Sequence, residues 1–231
     1  MNNNLYPILN VHNIVSPNYG TRCAEAKIDM LVLHYTGMQT ISSALERLCD
    51  PQSNVSTHYC IDEDGNIFSL VHEQNRAWHA GKSFWRGNTD INSRSIGIEI
   101  ANPGHQFGYR PFPEKQMTAI IKLSRNILSR FCIPARNVVG HSDIAPDRKL
   151  DPGELFDWQR LATAGVGVWP EPKPPPKQNL VSMLSEYGYD RKSENIIAAF
   201  QRHFRPAAIT GEADEECYQI AAGLIELATK D

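Results

Sequence analysis

Three segments of this chain gather imidazoles, carboxylates and cations at the ends of apolar runs. Leu33-His34-Tyr35-Thr36 closes one run, and Glu99 sits inside another, Gly97-Ile98-Glu99-Ile100. The third runs from Gly140-His141-Ser142-Asp143 through Asp147, Arg148, Lys149 and Asp151 to Pro152-Gly153. Each has a plain explanation alone: a histidine can end a strand for packing, Asp-Pro-Gly makes a turn, and a strand glutamate can face water. Together they supply the donors of a catalytic zinc site, which takes imidazole nitrogen and carboxylate oxygen and keeps a fourth position for water. His34 and His141 would be two ligands. Spacing does not choose the third among Asp143, Asp147 and Asp151. Zinc brings the pKa of a water down to about 7. Glu99 would then carry a proton to the departing amine, and Lys149 would steady the oxyanion.

Such residues need rigid supports, and the flanking patterns provide them. Ile28 to Tyr35 reads as a buried strand, and Ser95 to Ala101 as a second central one. Thr40 can cap a short helix containing Ala44, Leu45 and Leu48. Thr57–Ile61 and Ile67–Val71 flank Asp62-Glu63-Asp64-Gly65-Asn66, a hairpin with its turn at the Asp-Gly pair. Pro113 opens a long helix with Met117, Ile120, Ile121, Ile127, Leu128 and Phe131 on one face, broken by Ser124. After Pro134 comes the brief strand Asn137–Gly140. Strands interleaved with helices imply an α/β domain with a mixed central sheet flanked by helices.

Trp169-Pro170-Glu171-Pro172-Lys173-Pro174-Pro175-Pro176-Lys177 is the clearest boundary, since proline-rich chain favours an extended, semi-rigid spacer. The expected division is 1–168 as the catalytic domain, 169–179 as the linker and 180–231 as a small three-helix domain. In the last part, Leu180, Val181, Leu184 and Tyr187 have amphipathic helical spacing, as do Ile196, Ile197, Phe200 and Phe204. Asp214 can cap a final helix whose Glu215 and Glu216 suit the N-terminal dipole.

The 231 residues carry a formal charge of −3, which gives no basic surplus for a phosphate backbone, so no nucleic-acid partner is expected. No apolar run is long enough to span a bilayer. The start Met1-Asn2-Asn3-Asn4-Leu5-Tyr6-Pro7 lacks the basic and apolar regions of an export signal, which points to the cytoplasm. Cys23, Cys49, Cys60, Cys132 and Cys217 are odd in number and scattered, so free, buried thiols are expected rather than disulfides.

These segments resemble the zinc-dependent N-acetylmuramoyl-L-alanine amidases of the AmpD/AmiD type, kin to phage lysozyme-amidases and peptidoglycan recognition proteins. Leu33-His34-Tyr35-Thr36 looks like the first zinc-ligand strand and Gly140–Pro146 like the second. Arg148–Gly153 looks like the segment of the lysine and third ligand, which implies Asp151 and Lys149. Ser95–Ile100 resembles the strand of the catalytic acid, here Glu99. The resemblance covers roughly residues 28 to 160. It implies Zn2+ as cofactor and a peptidoglycan or muropeptide substrate, cut between N-acetylmuramic acid, or its 1,6-anhydro form, and L-alanine.

Ala77–Gly87 resembles the substrate-side loop, where His79 would meet the sugar–peptide junction. Trp78 and Trp85 would line a groove for a sugar face, or pack in the core. Tyr35, Asn92 and Arg94 complete the expected substrate contacts. Relatives often carry an arginine where this chain has Asp90, so Arg86 or Arg94 would have to hold the stem peptide instead. His58 reads as a supporting residue, and His72, His105 and His203 as surface or loop residues without a partner. The tail, with Ala199–Pro206 followed by Gly211-Glu212-Ala213-Asp214, is similar to a three-helix peptidoglycan-binding module; a structural cap on the catalytic domain is the plainer reading. A non-catalytic recognition module is the competing function, and no G-x-S-x-G elbow supports a serine hydrolase.

Overall fold

A computed structural model describes residues 11–229. The reading of the first seven residues therefore lies outside the described part. Six strands form one mixed sheet in the order β1-β5-β4-β7-β3-β8: β1 (Val11–Asn13), β3 (Met30–Tyr35), β4 (Tyr59–Ile61), β5 (Ile67–Ser69), β7 (Ser95–Ile100) and β8 (Val138–Gly140). The β4–β5 pair is antiparallel, and β3 is flanked by parallel β7 and β8. Two short strands, β2 (Tyr19–Thr21) and β6 (Asn75–Ala77), pair separately and carry little sequence signal of their own.

Alternation along the central strands divides their side chains between two cores. Leu31 and Leu33 of β3 and Ile96, Ile98 and Ile100 of β7 pack against Met117, Ile120, Leu123 and Ile127 of the long helix α4 (Glu114–Arg130). Leu123 belongs to that buried face, whereas Ile121 and Leu128 lie half-buried at its margin. Met30 and Val32 face the other way and join Trp85, Val139 and Ile144 in a core shared with the C-terminal helices. Those helices are α7 (Leu180–Tyr187), α8 (Ile196–Phe204) and α9 (Glu215–Ala228). Parity then places His34 with Met30 and Val32, and Glu99 with Ser95 and Gly97, away from the α4 side.

The supports foreseen in the sequence recur with modest shifts. Thr40 caps α1 (Ile41–Cys49), its hydroxyl accepting from the Ser43 amide at 3.1 Å. Asp214 caps α9 through the Cys217 amide at 3.0 Å. The proline-rich stretch is extended but not a free spacer. The Lys173 amide donates to the Gln219 carbonyl of α9 at 3.0 Å, and the chain passes so close to Gly223 that a Cβ there would meet the Glu171 carbonyl. Among the described residues all five cysteines are free; Cys60 and Cys217 are buried as expected, Cys49 is half-buried, and Cys23 and Cys132 are exposed. No helix among the described residues is long and apolar enough to cross a membrane.

Candidate metal centre and cleft

The carboxyl ends of β3 and β8 bring the chemistry together, where parallel sheets tend to bind ligands. His34 is the penultimate residue of β3, and its register partner on β7 is Glu99. β8 runs directly into α5 (His141–Ile144), a single helical turn that begins with the second imidazole. Asp151 returns from the following loop, its carbonyl accepting from the Ser142 amide at 2.8 Å.

His34, His141 and Asp151 form one compact triad. The two Nδ1 atoms are 2.9 Å apart, and Asp151 Oδ2 lies 3.1 Å from one and 3.0 Å from the other. Among the described residues this is the only group of three or more such side chains whose donor atoms could share a metal ion. Geometry thus brings in Asp151; Asp143 and Asp147 turn elsewhere. Burial, then the neighbouring His141, lowers the His34 pKa to about 4, so its imidazole is neutral at pH 7. Burial alone would raise Asp151, but the facing His141 and His34 outweigh it and hold the carboxyl well below its usual range. A neutral His34 imidazole beside an ionised carboxylate is the protonation pattern a divalent cation needs.

The tautomers follow from the hydrogen bonds behind the triad. The Ser95 hydroxyl donates to the Ile91 carbonyl at 2.7 Å, so it accepts from His79 Nε2 at 3.0 Å. His79 is buried and neutral, its pKa pushed far down by burial and by His34, so its Nδ1 is an acceptor. His34 Nε2–H donates to that atom at 3.0 Å, which frees the lone pair of His34 Nδ1 for the triad. His141 is fixed likewise, its Nε2–H donating to the Ala80 carbonyl at 3.1 Å. Such supports orient metal ligands and raise their basicity. His79 therefore sits behind His34 as well as bordering the cleft. The signal for this contact was Gly97, a glycine inside a strand, which marks close approach by another group.

Glu99 is half-buried beside the triad, and its Oε2 is buried with no hydrogen-bond partner among the described residues. Burial and then the Asp151 charge push its pKa well up, with Lys149 partly offsetting them. An unpartnered carboxylate oxygen is costly and suits a group that must receive a proton. Both Glu99 and Lys149 line a cleft of 710 Å³ over the triad, with Tyr35, Trp78, His105 and Arg47 on its walls.

Other expected contacts fall elsewhere. Trp85 is buried in the shared core against Tyr187 and Tyr189, and its indole N–H donates to Asn137 at 3.2 Å. It is a packing residue. Asn92 turns its side-chain oxygen to the His79 and Ala80 amides, holding the loop behind the triad. Arg94 pairs with Asp29 and Arg86 bonds Asn137, so neither replaces the missing arginine at Asp90, which itself pairs with Arg76. His58 is buried, with its Nδ1 accepting from the Gly97 amide at 2.9 Å, as fits a supporting residue. His72 is exposed. His105 has partners after all, Tyr35 and Glu154. His203 is not a surface residue: it is buried between the rings of Trp158 and Phe204. Arg22 went unnoticed in the sequence, yet its guanidinium ties the carbonyls of Glu73, Asn92, Ser93 and Ser95 beneath β7.

Residues 24–154 match the family model described as N-acetylmuramoyl-L-alanine amidase. The chain is 40% identical to the N-acetylmuramoyl-L-alanine amidase AmiD of Escherichia coli, over 91% of this chain and 87% of that protein. It is 32% identical to the 1,6-anhydro-N-acetylmuramyl-L-alanine amidase AmpD of Haemophilus influenzae, over 65% of this chain and 90% of that one. A solved complex of the E. coli AmiD with anhydro-N-acetylmuramic acid-L-Ala-D-gamma-Glu-L-Lys superposes with a TM-score of 0.78, covering 91% of this chain and 94% of that one.

Proposed function

The chain belongs to the N-acetylmuramoyl-L-alanine amidase family, and from that premise we propose that it works as a zinc enzyme through His34, His141 and Asp151. It hydrolyses the amide bond between N-acetylmuramic acid and L-alanine in peptidoglycan fragments. The observation that carries the zinc reading is the convergence of three lone pairs within 3.1 Å, each aimed by a hydrogen bond from behind or by the fold itself. Zinc held there would acidify a water and polarise a carbonyl oxygen.

The protein's own groups do the rest. Glu99 receives the proton of the water that attacks the lactyl carbonyl carbon. It passes that proton to the alanine nitrogen as the C–N bond breaks, leaving a muramic carboxylate and a free peptide amine. The Lys149 ammonium faces the oxygen on which negative charge develops. Tyr35 and Trp78 supply flat walls for the substrate, and His79 orients His34.

The stem peptide needs a cation. In the substrate bound to the E. coli relative, a γ-linked glutamate leaves its α-carboxylate free. Arg47, on the exposed side of α1, borders the cleft, and its guanidinium has no hydrogen bond or ion pair among the described residues. Arg47→Ala is expected to raise KM about two- to fivefold with kcat unchanged, the size of a solvent-exposed ion pair. Steady-state kinetics on a substrate with that carboxylate amidated should show no such change; an equal change there would remove Arg47 from the stem-peptide site.

The test of the function is mass spectrometry of muropeptides, both anhydro forms and intact sacculus digests, incubated with the protein with and without a zinc chelator. Peptides beginning at L-alanine should be released, chelation should stop their release, and zinc should restore it. Release that persists after complete removal of metal would sink the zinc reading. We propose anhydro-muropeptides as the preferred substrate, so the faster rate is expected on those forms.

A further inference from the structure

The loop from Gly140 to Glu154 carries His141, Lys149 and Asp151, yet its only regular element is the single turn α5. One turn of helix is marginal by itself. Three acids spaced along this loop each meet the C-terminal helices or the turn that joins them. Asp143 is buried, and Tyr189 donates its hydroxyl to Oδ1 at 2.7 Å while His203 Nδ1 lies 2.7 Å from Oδ2. The same Oδ2 accepts from the Gly140 amide at 2.7 Å and so closes the start of α5. Asp147 Oδ1 accepts from the Ser193 hydroxyl at 2.7 Å and from the Asn195 amide at 3.0 Å. Glu154 lies 4.0 Å from Arg202, with His105 on its other side.

We propose that the C-terminal helices act as a clamp that positions the metal-binding loop, with Tyr189 and His203 as its positioning residues through Asp143. The proposal rests on the zinc reading above. The side chain of Asp143 fixes where α5 begins, and α5 begins with His141. Tyr189 and His203 each hold one oxygen of that carboxylate, so it has one favourable orientation. The His203 ring cannot turn away, because Trp158 and Phe204 stack on its two faces at centroid distances of 3.8 Å. A tail that merely covered the sheet would need only its apolar face, formed by Leu184, Phe200 and Leu224. Polar contacts directed at three acids of one loop are additional to that, and the buried part of this network, at Asp143, specifies a single arrangement.

The experiment compares four full-length variants with the parent: Tyr189→Phe, the double variant Tyr189→Phe/His203→Gln, Ser193→Ala and Leu224→Ala. Zinc affinity is measured by competition with a chromophoric chelator, alongside the visible spectrum of the cobalt-loaded protein, Tm, kcat and KM. Tyr189→Phe and the double variant are expected to weaken zinc binding about tenfold or more, the usual scale for lost support of a metal ligand. They should also shift the cobalt spectrum and lower kcat with KM unchanged. Leu224→Ala empties space in the helical core without touching the loop, so it should lower Tm and leave the metal readouts alone. Ser193→Ala removes one hydroxyl at the partly exposed arm and keeps the test readable should the double variant fail to fold; a smaller loss of zinc affinity is expected. Unchanged zinc affinity and cobalt spectrum in Tyr189→Phe and Ser193→Ala would overturn the clamp. A parent that binds no stoichiometric zinc would overturn the metal reading itself, and the clamp with it.

Discussion

Glu99→Gln is expected to lower kcat by about 10²- to 10⁴-fold, the usual contribution of a general acid–base group, while muropeptide affinity changes little. The amide keeps the size of the side chain and its neutral form, so it fits a site where burial already drives the carboxyl toward protonation. What it cannot do is accept a proton from water. Single-turnover kinetics with the zinc-loaded variant measures the chemical step, and calorimetry measures binding. A variant that hydrolyses as fast as the parent would remove Glu99 from the proton transfer.

A stability comparison of the metal-free proteins provides an independent check. A carboxyl whose folded pKa is raised binds more protons folded than unfolded, so stability falls as pH rises above its unfolded value of about 4.3. The glutamine variant has no such loss. Its Tm should equal the parent's at low pH and exceed it as pH climbs through and beyond the ordinary glutamate range. Equal Tm values across that whole range would mean that Glu99 is not held in a raised state.

What could be read from the sequence was what is local or periodic. The apolar run ending at His34 and the alternation around Glu99 fixed both faces of β3 and β7, because side chains two apart share a face. The Thr40 and Asp214 caps act within three residues of themselves and were equally legible. The choice of Asp151 over Asp143 and Asp147 was not, because it depends on how a loop returns to the triad; only the family resemblance pointed to it. His203 was misread, and Trp85 was left open between a groove and the core, for a related reason. Each looked like a polar or amphipathic side chain near a loop, yet each is buried by contacts between the tail and the first domain. Nothing in the local pattern announces a partner 60 residues away, as Asp143 is for His203. Arg22 was missed likewise, since its four carbonyl partners lie 51 to 73 residues along the chain.

Gly97→Ala is expected to cost both stability and metal affinity, although it adds only one methyl group. A Cβ at position 97 would lie 2.6 Å from Cγ of His79 and 2.7 Å from its Cδ2, closer than real carbon contacts allow. The ring cannot swing aside cheaply. Its Nδ1 is held by His34 and its Nε2 by Ser95, and the ring is buried against both. The strand cannot retreat either, because the Gly97 amide donates to His58 and its carbonyl accepts from Thr57 at 2.8 Å and the His58 amide at 3.2 Å. Overpacking of this kind costs about 1–3 kcal/mol. Any relief that moves His79 also loosens the hydrogen bond that holds His34 in its metal-binding tautomer, which typically weakens affinity about 10–100-fold. Chelator competition and thermal melts of the variant should therefore show both losses. Adding His79→Ala to it separates them: with the ring gone, the steric part of the Tm loss should be relieved while zinc binding stays weak. A double variant that regains parental zinc affinity would show that His79 only fills space behind the triad.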